Sequence, residues 1–160
     1  IVSTVLAPLL ARLFPLEAGE LDDDHHSFVV HYSSAADADT GLDMHHDDSD
    51  VTVNICLGRE FSGSTLTFCG RLGEEAHRRW HHTYQHQAGR AVLHLGRQRH
   101  GADDIQGGQR TNLIIWLTSS RFRQSDAFQK GQRRAVGEQA PELVCLSYSH
   151  DDDYLTHATA

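Results

Sequence analysis

A chain of 160 residues, 39% hydrophobic and 22% charged, fits one soluble domain with one core. Its formal net charge of −8 argues against a nucleic-acid surface, which needs clustered positive charge. No apolar run approaches the roughly 20 residues that span a bilayer, and because the first residue is Ile1 rather than Met, the lack of a targeting segment says nothing about compartment.

In chain order, Val2 to Phe14 places Val5, Leu6, Leu9, Leu10 and Leu13 at helical spacing, with Ser3 or Thr4 as N-cap, and Pro15 ends the helix. Its apolar face should support a sheet. Leu21 to His26 reads as a polar connection, Ser27 to Tyr32 as a strand and Ser33 to Thr40 as a loop. A second strand is expected over Gly41 to Asp47, and a third over Val51 to Leu57, rich in β-branched residues. Gly58 to Ser64 turns the chain, and Thr65 to Phe68 is a further strand. Gly73 to His86, dense in His and Arg, reads either as a short helix or as a surface insertion.

Arg90 to Leu95 is a strand, Arg99 to Gly108 a turn-rich segment, and Arg110 to Leu117 a strand with a continuous apolar centre. Beyond Ser120 the chain is polar and peripheral, helical toward Glu138, with a last short strand over Glu142 to Tyr148 and a frayed tail. About seven short strands behind one helix predict a β-sandwich or barrel. Residues 1–160 are taken as one domain, with the core at about 28–118 and 119–160 peripheral. The acidic runs at Asp22 to Asp24, Asp43 to Asp50 and Asp151 to Asp153 read as solvated faces, as does the basic stretch Arg121 to Arg134. Cys56, Cys69 and Cys145 form no CxxC pair, which argues against a zinc ribbon or thioredoxin-type motif.

Chemistry concentrates in Leu-Asp-Met-His45-His46-Asp47-Asp48-Ser-Asp. In a strand, His45 and Asp47 share a face and could chelate one ion. A third ligand must come from a strand folding back, and both His94 and His100 are available. His46 and Asp48 repeat the His-x-Asp pattern one residue along, so pattern alone leaves the register open. Two histidines and a carboxylate on one side of a metal leave the other side free, which suits a non-haem Fe(II) centre that takes oxygen and a chelating co-substrate. Arg110 opens an apolar strand, where it is either an exposed strand-end arginine or a buried grip for a carboxylate.

Taken together, His45-His46-Asp47, Thr52-Val53-Asn54, Phe61-Ser62-Gly63-Ser64-Thr65-Leu66-Thr67-Phe68, His100 and Arg110 resemble the 2-oxoglutarate and Fe(II)-dependent dioxygenases of the prolyl- and lysyl-hydroxylase-like branch. The resemblance spans about Phe28 to Leu117 and selects Asp47 over Asp48 and His100 over His94. It implies a mainly β fold, a double-stranded β-helix or jelly roll with an N-terminal supporting helix. It implies iron ligation by His45, Asp47 and His100, with Arg110 on the distal carboxylate of 2-oxoglutarate. Tyr32, Thr52 and Asn54 are implied as further co-substrate contacts, and L-ascorbate as a candidate reductant. The implied reaction hydroxylates an unactivated C–H, on a prolyl or lysyl side chain of a protein or peptide. The alternatives are a small-molecule hydroxylase and a non-catalytic metal- or ligand-binding module on the same fold. No nucleic-acid partner and no membrane span are expected, and the sequence does not speak to oligomeric state.

Overall fold

A computed structural model describes residues 1–58, 60–71 and 81–137. A π-helical turn, Val2–Leu6, runs into helix α1, Ala7–Leu13. The expected hydroxyl N-cap is not used: Leu6 precedes α1 without a side-chain cap, and Pro8 sits in its first turn, where its missing N–H costs nothing. Nine strands follow among the described residues: β1 (His25–Ser33), β2 (Leu42–His45), β3 (Val51–Gly58), β4 (Phe61–Gly63), β5 (Leu66–Arg71), β6 (His81–Tyr84), β7 (Ala91–Leu95), β8 (Gln98–Ala102) and β9 (Ile105–Leu117). Helices α2 (Ser120–Arg123) and α3 (Asp126–Gly137) close the described chain. The strand expected over Glu142 to Tyr148, and most of the Gly73 to His86 segment, lie outside the described residues.

The strands form two antiparallel sheets. One runs β1-β9-β3-β7, with β4 added against the start of β9, and the other runs β2-β8-β5-β6. This is the mainly β, two-sheet jelly-roll layout expected of the sequence. The buried pattern of β3 shows why: with both faces covered, Val51 and Val53 join Leu10, Leu95, Ile115 and Leu117 under the N-terminal helix. The alternate residues Thr52, Asn54 and Cys56 turn toward the second sheet. Between the sheets, Tyr32, Leu66, Phe68, Ala102 and Ile105 make a second apolar cluster.

Two expectations are corrected. Arg99 to Gly108 is not a turn-rich segment, because β8 occupies 98–102 and β9 begins at Ile105. Its glycines hid the strands: Gly101 packs against the backbone of β2 and the Met44 sulfur, and Gly108, at φ +80°, lets the Glu60 carbonyl approach. Nor does β2 extend to Asp47. It ends at His45, and Asp47 lies in the irregular stretch that follows, just before the bend at 48–50.

A candidate metal centre between the sheets

The two sheets bring His45, Asp47 and His100 together, with one potential ligand atom from each within 4.8 Å of the others. His45 at the end of β2 is the direct cross-strand partner of His100 on β8. Asp47 reaches the same point from the irregular stretch after β2, its N–H bonded to the Gly96 carbonyl at 3.0 Å. The second His-x-Asp register is excluded by exposure: the Asp48 side chain is 88% exposed and pairs with Arg123, whereas that of Asp47 is 5% exposed.

The hydrogen bonds fix what these rings present. His45 Nδ1 donates to the Asp43 carbonyl at 2.7 Å, and His100 Nδ1 to the Gln98 carbonyl at 2.8 Å. Each neutral ring therefore turns an Nε2 lone pair inward. These stand 3.4 and 3.6 Å from the two oxygens of Asp47. Three acceptors thus converge with no shared proton between them, an arrangement that repels unless a cation lies among them. The nitrogen and oxygen donor set fits Fe(II).

Electrostatics keep the set ready for a metal. Burial alone would raise the Asp47 carboxyl, but the His45 contact, the nearby His100 and the Thr52 hydroxyl hold it down at about 2. Burial and neighbouring His94 lower His100 to about 3, against the pull of Asp47. His45 is raised: its partial burial is outweighed by Asp47 and the Asp43 carbonyl. Thr52 Oγ1 donates to Asp47 Oδ2 at 2.6 Å and is within 2.7 Å of Ser49 Oγ, so β3 orients the carboxylate.

Across a cavity of about 260 Å3, Arg110 on β9 is 1% exposed. Its Nη1 donates to the Ser64 carbonyl, its guanidinium lies 4.9 Å from the ring centre of Tyr32, and its Nε has no partner. Among the described residues no carboxylate pairs with it. Tyr32 is the cross-strand partner of Arg110, and burial raises its phenol despite the adjacent cation, keeping it a neutral donor. A buried guanidinium with an idle N–H awaits an anion.

Tyr32, Thr52, Asn54 and Asn112 line the same cavity. The structure therefore gathers all seven residues singled out in the sequence around one space. His94, the rival not chosen, does not line this cavity but stands beside Asp47: its Nε2 is 3.8 Å from Asp47 Oδ2 and has no hydrogen-bond partner. Pairing of Thr52 with His94 across β3 and β7 puts it on this face. Sequence reasoning missed Asn112, which lines the cavity, and His86, which touches Asn112 from behind; both are 1% exposed. The two-residue spacing from Arg110 could have flagged Asn112; nothing local could have flagged His86.

No family model matches the chain. It is 38% identical over 135 residues to the 2-oxoglutarate and iron-dependent oxygenase domain-containing protein ICU11 of Arabidopsis thaliana, covering 81% of this chain and 34% of that protein. It is 38% identical over 118 residues to the 2-oxoglutarate and iron-dependent oxygenase domain-containing protein 2 of Mus musculus, covering 74% and 33% respectively. In fold it is similar to a prolyl-4-hydroxylase of Pseudomonas putida, with a TM-score of 0.52 at 20% identity, covering 71% of this chain and 60% of that one. The chain belongs to the 2-oxoglutarate and iron-dependent oxygenases, and its core is their double-stranded β-helix. Iron and 2-oxoglutarate are that family's metal and co-substrate. The chain spans about a third of the length of these curated relatives.

Proposed function

We propose that this domain hydroxylates an unactivated C–H, on a prolyl or lysyl side chain of a protein or peptide, with 2-oxoglutarate as co-substrate. The observation that carries the reading is the pairing of converging acceptors at one end of a cavity with a buried, unmatched guanidinium at the other. His45, Asp47 and His100 would hold the iron, and Arg110 the distal carboxylate, with Tyr32, Thr52 and Asn54 along the co-substrate's length. We take residues 1–160 as one domain, with its core at about 28–118.

Bound iron and 2-oxoglutarate would supply the oxidising chemistry, with succinate and carbon dioxide as by-products. The chain's own residues bind, orient and exclude water. Thr52 holds the Asp47 carboxylate in place. Arg110 sets the direction of the co-substrate by charge, and Tyr32 presents a neutral hydroxyl beside it. Phe28 and Trp116, edge to face at 5.2 Å, form an apolar wall of the same cavity together with Ile114. This wall supports an aliphatic side chain as the reacting group, since it accepts methylenes and offers few competing polar atoms.

The test is succinate release from 2-oxoglutarate by Fe(II)-loaded protein, with and without ascorbate, in the presence of peptides containing proline or lysine and of the free amino acids. Asp47→Ala should abolish turnover and weaken metal binding. Arg110→Ala should raise KM for 2-oxoglutarate by about 10- to 100-fold, the worth of a charged hydrogen-bonded pair. Metal bound equally by wild type and Asp47→Ala would overturn the site assignment. Turnover stimulated by free amino acids and not by peptides would move the substrate to small molecules.

A further inference from the structure

The loop after β6 sends one histidine into the core. His86 is 1% exposed, although its neighbours Gln85 and Gln87 are exposed. Its ring hydrogen bonds run to the Arg90 carbonyl and to Asn112, not to the three converging metal-site residues. Its contacts instead lead from the outer turn to the co-substrate cavity, and they have a fixed polarity.

The carbonyl of Arg90 accepts from His86 Nε2, 3.2 Å away, so the proton of the neutral ring sits on Nε2 and Nδ1 carries the lone pair. That lone pair accepts from Asn112 Nδ2 at 3.2 Å. Asn112 Nδ2 also donates to Asn54 Oδ1 at 2.6 Å. Each amide is thereby prevented from flipping. With its oxygen committed to Asn112, Asn54 presents its NH2 to the cavity it lines. Asn112, which lines the same cavity, is left with a buried Oδ1 that has no partner. An unmatched acceptor this deep is costly in an apolar core and reasonable only where a ligand or its water completes it.

The place of these amides matters. Asn54 follows Thr52 on the inner face of β3, and Asn112 follows Arg110 on the inner face of β9. They therefore bridge the distance between the metal end and the guanidinium end of the cavity. Burial and the nearby Arg110 charge both lower the His86 pKa, which keeps the ring neutral, as the relay requires.

We propose that His86 is a positioning residue for 2-oxoglutarate: acting through Asn112, it sets the Asn54 amide with its NH2 toward the co-substrate. The proposal rests on the reading of the cavity as the 2-oxoglutarate site. It makes no contact between His86 and the co-substrate itself. If the ring carried its proton on Nδ1 instead, two donors would meet at Asn112, both amides would turn over, and an oxygen of Asn54 would face the carboxylate of the ligand.

Two measurements on the full chain test this. Histidine-ring 15N–1H spectra at neutral pH, with the His86 signals assigned by their loss in His86→Asn, should show the Nε2–H form. Calorimetric titration of 2-oxoglutarate into Mn(II)-loaded protein should show about ten-fold weaker binding in His86→Leu, as expected for one misdirected hydrogen bond to a charged ligand. Mn(II) affinity should stay within about two-fold, because the metal-site residues are not touched. His86→Asn, whose Oδ1 replaces the Nδ1 acceptor, should recover most of the lost affinity, and kcat should change less than KM. A wild-type Nδ1–H tautomer would overturn the relay, as would unchanged 2-oxoglutarate binding in His86→Leu or equal losses in the leucine and asparagine variants. If the leucine variant does not fold, Asn54→Ala decides: wild-type affinity there rejects the proposal. Failure of the wild-type protein to bind 2-oxoglutarate at all would instead reject the reading of the cavity itself.

Discussion

Arg110 shows how a single side chain trades stability for function. Its guanidinium is removed from water, donates to the Ser64 carbonyl, lies against the Tyr32 and Phe61 rings, and keeps Nε idle. Such a buried charge destabilises the ligand-free protein. Arg110→Met should therefore raise the melting temperature of the free protein while removing any rise on adding 2-oxoglutarate; differential scanning calorimetry reads both. The histidines give a second residue-scale expectation. His86, His94 and His100 all have pKa values below the ordinary 6.5, chiefly through burial. The unfolded chain binds protons that these native rings refuse, so their contribution is present above about pH 6.5 and lost as pH falls below it. His45, raised by Asp47, works in the opposite sense, as one ring against three. Asp47, held at about 2, keeps its contribution until pH falls through 3.8 toward that value. Urea unfolding of metal-free protein should accordingly show lower stability at pH 5 than at pH 7.5. Equal stability at the two values would contradict the burial of the neutral rings.

At the scale of elements, the site depends on one close approach. Gly96 lies in the turn joining β7 to β8; its carbonyl accepts from the Asp47 N–H and its N–H donates to the Asp50 carbonyl at 3.2 Å. A Cβ at Gly96 would strike the Ser49 carbonyl. Gly96→Ala should thus cost about 1–3 kcal/mol, the usual penalty of overpacking, and weaken Mn(II) binding by displacing Asp47. A thermal melt and a metal titration separate the two effects. The same turn explains how β7, carrying His94, and β8, carrying His100, deliver imidazoles to one place although the strands belong to opposite sheets. Their ring centres are 4.4 Å apart.

Across the whole molecule, the sandwich works as a frame with one sheet backed by α1 and its other face turned to the cavity. Ligands that bind only this folded arrangement must stabilise it by mass action, by about 2.7 kcal/mol at a hundred times Kd. Metal and 2-oxoglutarate together should raise the melting temperature more than the sum of each alone, because in the proposed site Arg110 and the metal residues grip the two ends of one ligand. Strict additivity would argue for separate sites. Among the described residues no helix is long and apolar enough to cross a membrane.

Much of this was legible before the fold. Alternating β-branched residues marked β3, and the apolar run after Arg110 marked the C-terminal part of β9, because burial on both faces demands such residues. The His-x-Asp pair, His100 and Arg110 were legible as a set, since metal ligation and carboxylate recognition each need particular side-chain chemistry. The glycine-rich strands around His100 were not, because glycine there serves close backbone packing instead of a turn. Strand alternation left Asp47 and Asp48 open and the family resemblance chose Asp47; in the structure Asp47 lies beyond the end of β2, its N–H held by the Gly96 carbonyl. The sequence by itself determined which groups can hold a metal and an anion, because that is a property of the side chains. Only the tertiary structure decided that Asp48 points to solvent, that His94 stands beside the centre, and that His86 enters the core. Those outcomes depend on which backbone segments meet, and residues far apart in the chain meet only once both sheets have closed on each other.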